Sequence, residues 1–304
     1  MTVVDNAKSK DSIKDLRISA NGRRMIQPNP SVHAKSQAVR QRIIRVGVRL
    51  VVPIILVLGW FLLSQAPTSQ LFVASPWTSF LRVITDYFST DPAKLFLGEV
   101  TYGHLLPSLG RALAGLALAV IVGVGVGIVL GISPVVTALF QPLIHLGRSI
   151  PSPALLGVFF LLFGTGDSPK IFLIAFGVVW PILFNTIDGV GSIGEQRLQA
   201  AAVFKIRRSD VLTKIILPGA SPKIFAGIRT SMSLSLIIMI ISELQKSENG
   251  LGYLLVMTQR TFDYEGFWSI LIVLAVLGVL LNAIFQIVER RVLAWHRGVT
   301  QQND

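Results

Sequence analysis

Long apolar segments separated by short polar ones dominate this sequence of 304 residues. Several of them reach the length of about 20 apolar residues that a helix needs to cross a bilayer. The pattern predicts an all-α polytopic membrane protein with about six transmembrane helices. The expected spans are residues 48–63, 106–132, 135–163, 171–190, 224–241 and 267–288.

Small residues recur at every fourth position of the second predicted span. On a helix this spacing places them in one stripe, which lets a neighbouring backbone approach closely where lipid removes the hydrophobic drive for packing. We therefore expect a helix-packing face. It comprises Gly115, Ala119, Gly123, Gly127 and Gly131.

The third predicted span is too long for one straight crossing and contains Arg148, Pro151 and Pro153. Prolines at membrane depth are tolerated where the freed backbone groups find partners or line a cavity. Ionisable groups at such depth usually face protein or water and often serve function. These three residues, with Arg229 and Glu243, are candidates for a translocation pathway. Arg229 can instead snorkel to the cytoplasmic surface. Glu243 can instead act as a cap or pair near the outer surface, with Lys246 as the suggested partner.

The longest polar interval of the second half, Gln199–Pro218, lies between the fourth and fifth predicted spans. Its three consecutive alanines favour a helix, and a stripe of Val and Ile residues predicts a second one. A corner is expected near Lys205–Asp210. Pro218 is expected to end the second helix, because proline lacks a backbone N–H group.

The basic residues predict the orientation of the chain. Residues 1–45 are polar and rich in Lys and Arg, which indicates a disordered cytoplasmic tail. With the tail inside and six alternating spans, 20 of the 28 Lys and Arg residues fall on the cytoplasmic side, as the positive-inside rule requires. Both termini and the Gln199–Pro218 loop are then cytoplasmic.

Several chemistries have no support in the sequence. It contains no cysteine, no phosphate-binding Gly-x-x-x-x-Gly-Lys-Ser/Thr loop, no His-Glu-x-x-His and no Gly-x-Ser-x-Gly. We expect no catalytic residue and no metal on this chain, and any ATP hydrolysis belongs to a partner. The net charge of +12 lies at membrane flanks and in the tail, so we expect no nucleic-acid partner. A secondary transporter driven by an ion gradient is the alternative to a transport subunit that depends on a partner's ATP hydrolysis. Neither an inverted repeat nor an intramembrane carboxylate pair supports this alternative.

The Gln199–Pro218 loop resembles the cytoplasmic pattern of bacterial ABC importer permeases, which is Glu-Ala-Ala, three residues, Gly, nine residues and Ile-x-Leu-Pro. Gln199 stands in place of the family's Glu and Lys205 in place of its Gly, which permits a left-handed turn. The resemblance implies that this loop contacts the ATPase subunit. The residues expected to take part are Gln199, Ala200, Ala201, Phe204, Lys205, Arg207, Arg208, Asp210, Ile215, Leu217 and Pro218.

Four further stretches are similar to the permeases of nitrate, sulfonate, taurine and bicarbonate importers. They are residues 107–115, 147–155, 181–186 and 250–254. The resemblance covers about residues 46–290, within a permease domain expected at 46–304 that has a family core at about 103–290 and a coupling loop at about 191–222.

The resemblance implies transport of a small anionic solute by alternating access, in a permease of the bacterial inner membrane. The expected partners are cytoplasmic ABC ATPase subunits, which bind ATP and Mg²⁺, an external substrate-binding protein, and a second permease copy, either identical or a paralogue.

Overall fold

The computed structural model describes residues 51–67, 69 and 71–294. The predicted basic tail, residues 1–45, lies outside the described residues. The chain divides into two compact units, one ending at Leu58 and the other beginning at Gly59. The first unit contributes one apolar helical segment to the described residues, and the second contains all the sites discussed below.

The described residues are helical, with a single isolated β-bridge between Phe88 and Leu97, so the predicted all-α fold is confirmed. Two 3₁₀ turns (Pro92–Lys94 and Ser152–Leu155) and two π-helical turns (Thr101–Leu105 and Val211–Ile216) connect the α-helices. The helices are α1 (Val51–Gln65), α2 (Pro76–Tyr87), α3 (Leu106–Ile132), α4 (Pro134–Ser149), α5 (Leu156–Phe163), α6 (Ser168–Gly191), α7 (Glu195–Val203), α8 (Arg208–Asp210), α9 (Leu217–Glu243), α10 (Leu251–Arg260) and α11 (Tyr264–Val292).

Within the described residues, four helical segments are long and apolar enough to cross a membrane: Thr101–Ile132, Ser168–Gly191, Arg208–Glu243 and Tyr264–Val292. The proline-containing third run is broken. Its two helical parts, Pro134–Ser149 and Ser152–Phe163, meet at 81°. The first predicted span overlaps the shorter apolar helix α1, and its residues 48–50 lie outside the described part of the chain.

The expectation that Pro218 ends a helix is wrong. Pro218 lies in the first turn of α9, which continues directly from the π-helical turn Val211–Ile216. Pro107 has the same position in α3 after the π-helical turn Thr101–Leu105. A proline lacks one N–H group and its ring clashes with the preceding turn. A wider π turn directly before the proline relieves both conflicts, so the helix passes through it.

Helix α6 packs between α3 and α9 and supplies the centre of the core. Leu173, Ile174, Val178 and Ile182 on α6 are completely buried. The small-residue stripe of α3 lies against this helix: a Cβ atom at Gly115 would come within 2.6 Å of the Ile174 side chain. Close backbone approach therefore replaces side-chain interdigitation along this interface.

The stripe keeps its register along α6. Gly123 faces Ile182, Gly127 faces Thr186 and Gly131 faces Val190, while Ala119 is 1% exposed. On the other side of α6, Ser231 of α9 donates a hydrogen bond to the Val178 carbonyl at 2.7 Å. We call the end of this bundle where α3 begins the Arg111 end, and the opposite end, where α7 and α8 meet, the Lys205 end.

Helix α2 packs on α11 at the Arg111 end. Arg82 forms ion pairs with Asp86 at 2.8 Å and with Asp263, just before α11, at 3.5 Å. Tyr87 at the end of α2 is buried, and its hydroxyl has no hydrogen-bond partner among the described residues. Burial and, to a lesser extent, the Asp86 carboxylate raise the pKa of the Tyr87 phenol above its ordinary value.

Candidate functional site

A buried ion pair joins α3 to α9 at the Arg111 end. The Arg111 Nη1 atom lies 2.6 Å from Glu243 Oε1, and the two side chains are 3% and 0% exposed. Arg111 Nε also contacts Asp167 at the start of α6, at 2.7 Å, but that carboxylate is 59% exposed. Of the three side chains, Arg111 and Glu243 are therefore the two that have lost their water.

Both carboxylate oxygens of Glu243 have further hydrogen-bond partners. Ser108 Oγ lies 2.8 and 2.7 Å from its two carboxylate oxygens, and the Gly252 N–H donates to it at 3.0 Å. The guanidinium of Arg111 also donates to the backbone and side-chain oxygens of Asn249. Additional hydrogen bonds of this kind make a buried charge pair tolerable.

The loop between α9 and α10 is fitted closely around this network. Gly250 has φ +114°, and a Cβ atom there would lie 2.4 Å from the Glu243 carboxylate carbon. The N–H of Gly250 donates to His104 Nδ1 at 3.1 Å, and that of Leu251 donates to Ser108 Oγ at 2.8 Å. Only glycine permits both this backbone conformation and this approach.

Sequence reasoning named Glu243 but missed its partners. The structure pairs Glu243 with Arg111, 132 residues away, and not with Lys246, the partner suggested from the sequence. The sequence signal that could have identified the partner was Arg111 itself, a second ionisable residue inside a predicted span. The residues missed are Ser108, Arg111, Asp167, Asn249 and His104.

The broken helix forms a separate cavity. A space of about 560 Å³ is lined by Arg148, Pro151 and Pro153 together with α6 residues that include Trp180 and Asn185. The break at the prolines turns the chain by 81°, and this turn places α4 and the 3₁₀ turn on two walls of the cavity. The structure thus brings together three of the five predicted pathway residues.

Arg148 is exposed and has no carboxylate partner among the described residues. Its guanidinium lies 5.1 Å from the centre of the Phe184 ring, a cation–π contact. Arg229 and Glu243 do not line this cavity. Arg229 instead forms an ion pair with Glu289 of α11. No group of three or more His, Cys, Asp or Glu side chains suited to a metal occurs in the described part of the chain.

The corner between α7 and α8 is a Schellman motif. The N–H of Ile206 donates to the Ala201 carbonyl and that of Lys205 donates to the Ala202 carbonyl, both at 3.0 Å. Lys205 has φ +50°, the left-handed conformation that glycine normally supplies at this position. Lys205 therefore builds the same turn with a side chain, at a cost of about 1–2 kcal/mol.

Exposure differs sharply among the residues of this corner. Phe204 and its neighbour Val203 are 77% and 78% exposed, whereas Ala201 is only 4% exposed. Asp210 pairs with Lys214 along the next turn at 2.9 Å. Gln199, Ala200, Lys205, Arg207 and Arg208 are exposed, and Ile215, Leu217 and Pro218 are half-buried. The corner thus presents an apolar pair surrounded by basic side chains.

Comparisons with known proteins place the chain in a family. Residues 108–294 match the model of the binding-protein-dependent transport system inner membrane component. The taurine transport system permease protein TauC of Escherichia coli is 29% identical over 80% of this chain and 87% of its own length. The nitrate import permease protein NrtB of Synechococcus elongatus is 29% identical over 60% of this chain and 63% of its own length.

Solved structures give the same fold. The chain is similar to the MetNI methionine ABC transporter, solved in inward-facing conformations, with a TM-score of 0.55 and 16% identity over 64% of this chain and 94% of that one. An amino acid ABC transporter has a TM-score of 0.52 at 15% identity, over 63% of this chain and 93% of that one. The chain belongs to the family of binding-protein-dependent transport system inner membrane components and is an ABC importer permease subunit.

Proposed function

We propose that this chain carries a small oxyanion across the membrane by alternating access, driven by a separate ATPase that binds the Lys205 end. In this arrangement the Lys205 end is cytoplasmic and the Arg111 end is external. The distribution of Lys and Arg along the sequence supports that orientation. The observation that carries the proposal is the exposed apolar corner at Val203 and Phe204.

A protruding apolar pair on a basic surface is typical of a protein–protein contact. Phe204 follows the last residue of α7, so its ring projects from a hydrogen-bonded turn rather than from a loose loop. A rigid turn transmits a displacement, because moving it requires moving the helices on both sides. The corner leads through α8 into the continuous segment Arg208–Glu243, which extends to the buried ion pair at the opposite end.

Phe204→Ser tests the contact. A central aromatic anchor contributes at least about 2 kcal/mol to binding, so the variant should lose at least about thirtyfold in affinity for the ATPase subunit. Co-purification of the cognate ATPase with the tagged permease, followed by a titration of the two in detergent, measures the loss. Ala201 is unsuitable for this test, because it is buried and its replacement would disturb packing.

The matched control is Phe262→Ser. Phe262 is 73% exposed, lies at the Arg111 end and also has a positive φ. The Phe262→Ser variant should bind the ATPase subunit with unchanged affinity. Equal binding by the Phe204 variant and the unmodified chain would contradict the docking proposal.

The Arg148 cavity supports the anionic nature of the solute. Arg148 lines this cavity and has no carboxylate partner within the described ranges, and a guanidinium favours oxyanions. The relatives named for taurine and nitrate transport point to the same class. Uptake of taurine and nitrate by reconstituted vesicles should be abolished by vanadate and should persist with an uncoupler. The reverse pattern would favour the gradient-driven alternative.

A further inference from the structure

A second cavity adjoins the buried ion pair at the Arg111 end. It encloses about 480 Å³ between the loop that precedes α6 and the loop that joins α9 to α10. Three cationic and two anionic side chains line it: Arg111, Lys170, Lys246, Asp167 and Glu248. Apart from Gly166, the residues that line it have polar or charged side chains.

Lys170 is the unusual member of this lining. It is 2% exposed, yet it forms no hydrogen bond or ion pair with any residue in the described part of the chain. Arg111, in the same wall, is fully engaged by Asp167, Glu243 and Asn249. The Lys170 ammonium nitrogen is not among the buried atoms that lack a hydrogen-bond partner, so the charged end of this otherwise buried side chain reaches the cavity, where a bound anion can contact it.

The three nearby carboxylates act on Lys170 through their charge, but none forms an ion pair with it among the described residues. Glu243 bonds to Arg111, Ser108 and Gly252, Asp167 bonds to Arg111, and Glu248 is exposed and forms no ion pair within the described part of the chain. Ser247 also lines the cavity, and its buried hydroxyl has no hydrogen-bond partner among the described residues. The cavity is therefore lined by a cation and a hydroxyl group that form no hydrogen bond or ion pair with other described side chains, near the positive end of helix α6.

We propose that this cavity binds a small oxyanion, with the Lys170 ammonium as its main counter-charge and Ser247 as a hydrogen-bond donor. The chemical class is a small oxyanion, either a nitrate, sulfate or sulfonate group of a dissolved solute or the phosphate group of an anionic lipid headgroup. The inference deepens the proposed function and depends on it only for the role of this anion as the transported solute.

Binding is measured without transport. The full chain with its cognate ATPase, in phosphatidylcholine nanodiscs and without ATP, is titrated calorimetrically with ethanesulfonate and with nitrate, with chloride holding ionic strength constant. Lys170→Gln should weaken binding at least about tenfold, because it removes a charge-assisted hydrogen bond. Lys170→Arg should retain most of the affinity. Lys94→Gln removes an exposed cation outside the cavity and should leave the affinity for both anions unchanged.

A variant that keeps the site testable is Lys170→Met. It removes the unpaired charge and should assemble normally, and ethanesulfonate should raise the melting temperature of the unmodified complex but not of this variant. Equal affinity, or an equal melting shift, in the unmodified and Lys170 variant complexes overturns the proposal. Competition by phosphatidylglycerol in the nanodiscs would identify a lipid headgroup as a source of the same oxyanion.

The two proposals fail separately. A complex that binds ethanesulfonate through Lys170 but imports no anion when given ATP contradicts the proposed function and leaves this site standing. A complex with normal ATP-driven anion uptake, whose affinity for ethanesulfonate is unchanged by the Lys170 substitutions, contradicts the site and leaves the proposed function standing.

Discussion

Removing Arg111 should destabilise the bundle more than any exposed substitution, because it leaves Glu243 buried and charged. The Glu243 side chain is 0% exposed, and after Arg111→Met only Ser108 and the Gly252 N–H would remain bonded to it. Breaking a buried pair from one side costs about 3–5 kcal/mol. Arg111→Met should therefore lower the melting temperature by about 6 °C or more.

A double-mutant cycle isolates the pair. Glu243→Gln alone leaves the guanidinium with Asp167 and Asn249, so its cost should be smaller, about 1–3 kcal/mol. The double variant Arg111→Met with Glu243→Gln should recover about 2–3 kcal/mol of the summed losses. The assay is denaturant unfolding of the purified chain in detergent, followed by tryptophan fluorescence.

Asp167→Asn serves as the control, since that carboxylate also contacts Arg111 but is 59% exposed. A solvated ion pair contributes about 0–1 kcal/mol, so this variant should unfold almost like the unmodified chain. The reasoning would be refuted if the losses of unfolding free energy in the Arg111→Met and Glu243→Gln variants were strictly additive. It would also be refuted if Asp167→Asn lost as much unfolding free energy as Arg111→Met.

Three further outcomes are expected. Lys205→Gly should raise the free energy of unfolding by about 0.5–1 kcal/mol, because glycine adopts the left-handed conformation without the strain of a lysine. Lys205→Ala should not raise it. Equal free energies of unfolding for the two variants in a denaturant titration would contradict this prediction. Gly127→Val should lose about 1–3 kcal/mol by clashing with Thr186, whereas Gly125→Val, which has open space, should not. The raised pKa of Tyr87 means that stability should fall as pH rises above about 10, because the unfolded phenol ionises first. Tyr87→Phe should remove that decline.

The sequence predicted the all-α class and most of the crossing segments because apolar runs and their periodicity belong to single helices. The small-residue stripe of α3 could also be located in this way, since a spacing of four residues defines a helix face before any partner is known. The register of that stripe against α6 could not be predicted, because it depends on the relative axial position of the two packed helices. The prediction at Pro218 failed for a related reason: a local rule for proline does not include the π turn that accommodates it.

The corner at Lys205 and the family were recognisable from residue spacing, because the turn is local and its pattern spans about twenty positions. Only the tertiary structure decided which residues of the corner are exposed, burying Ala201 and presenting Phe204. It alone joined Arg111 to Glu243 across 132 residues and enclosed Lys170 beside them. Helix packing sets these distances and removes the water, and no pattern within one segment encodes either effect.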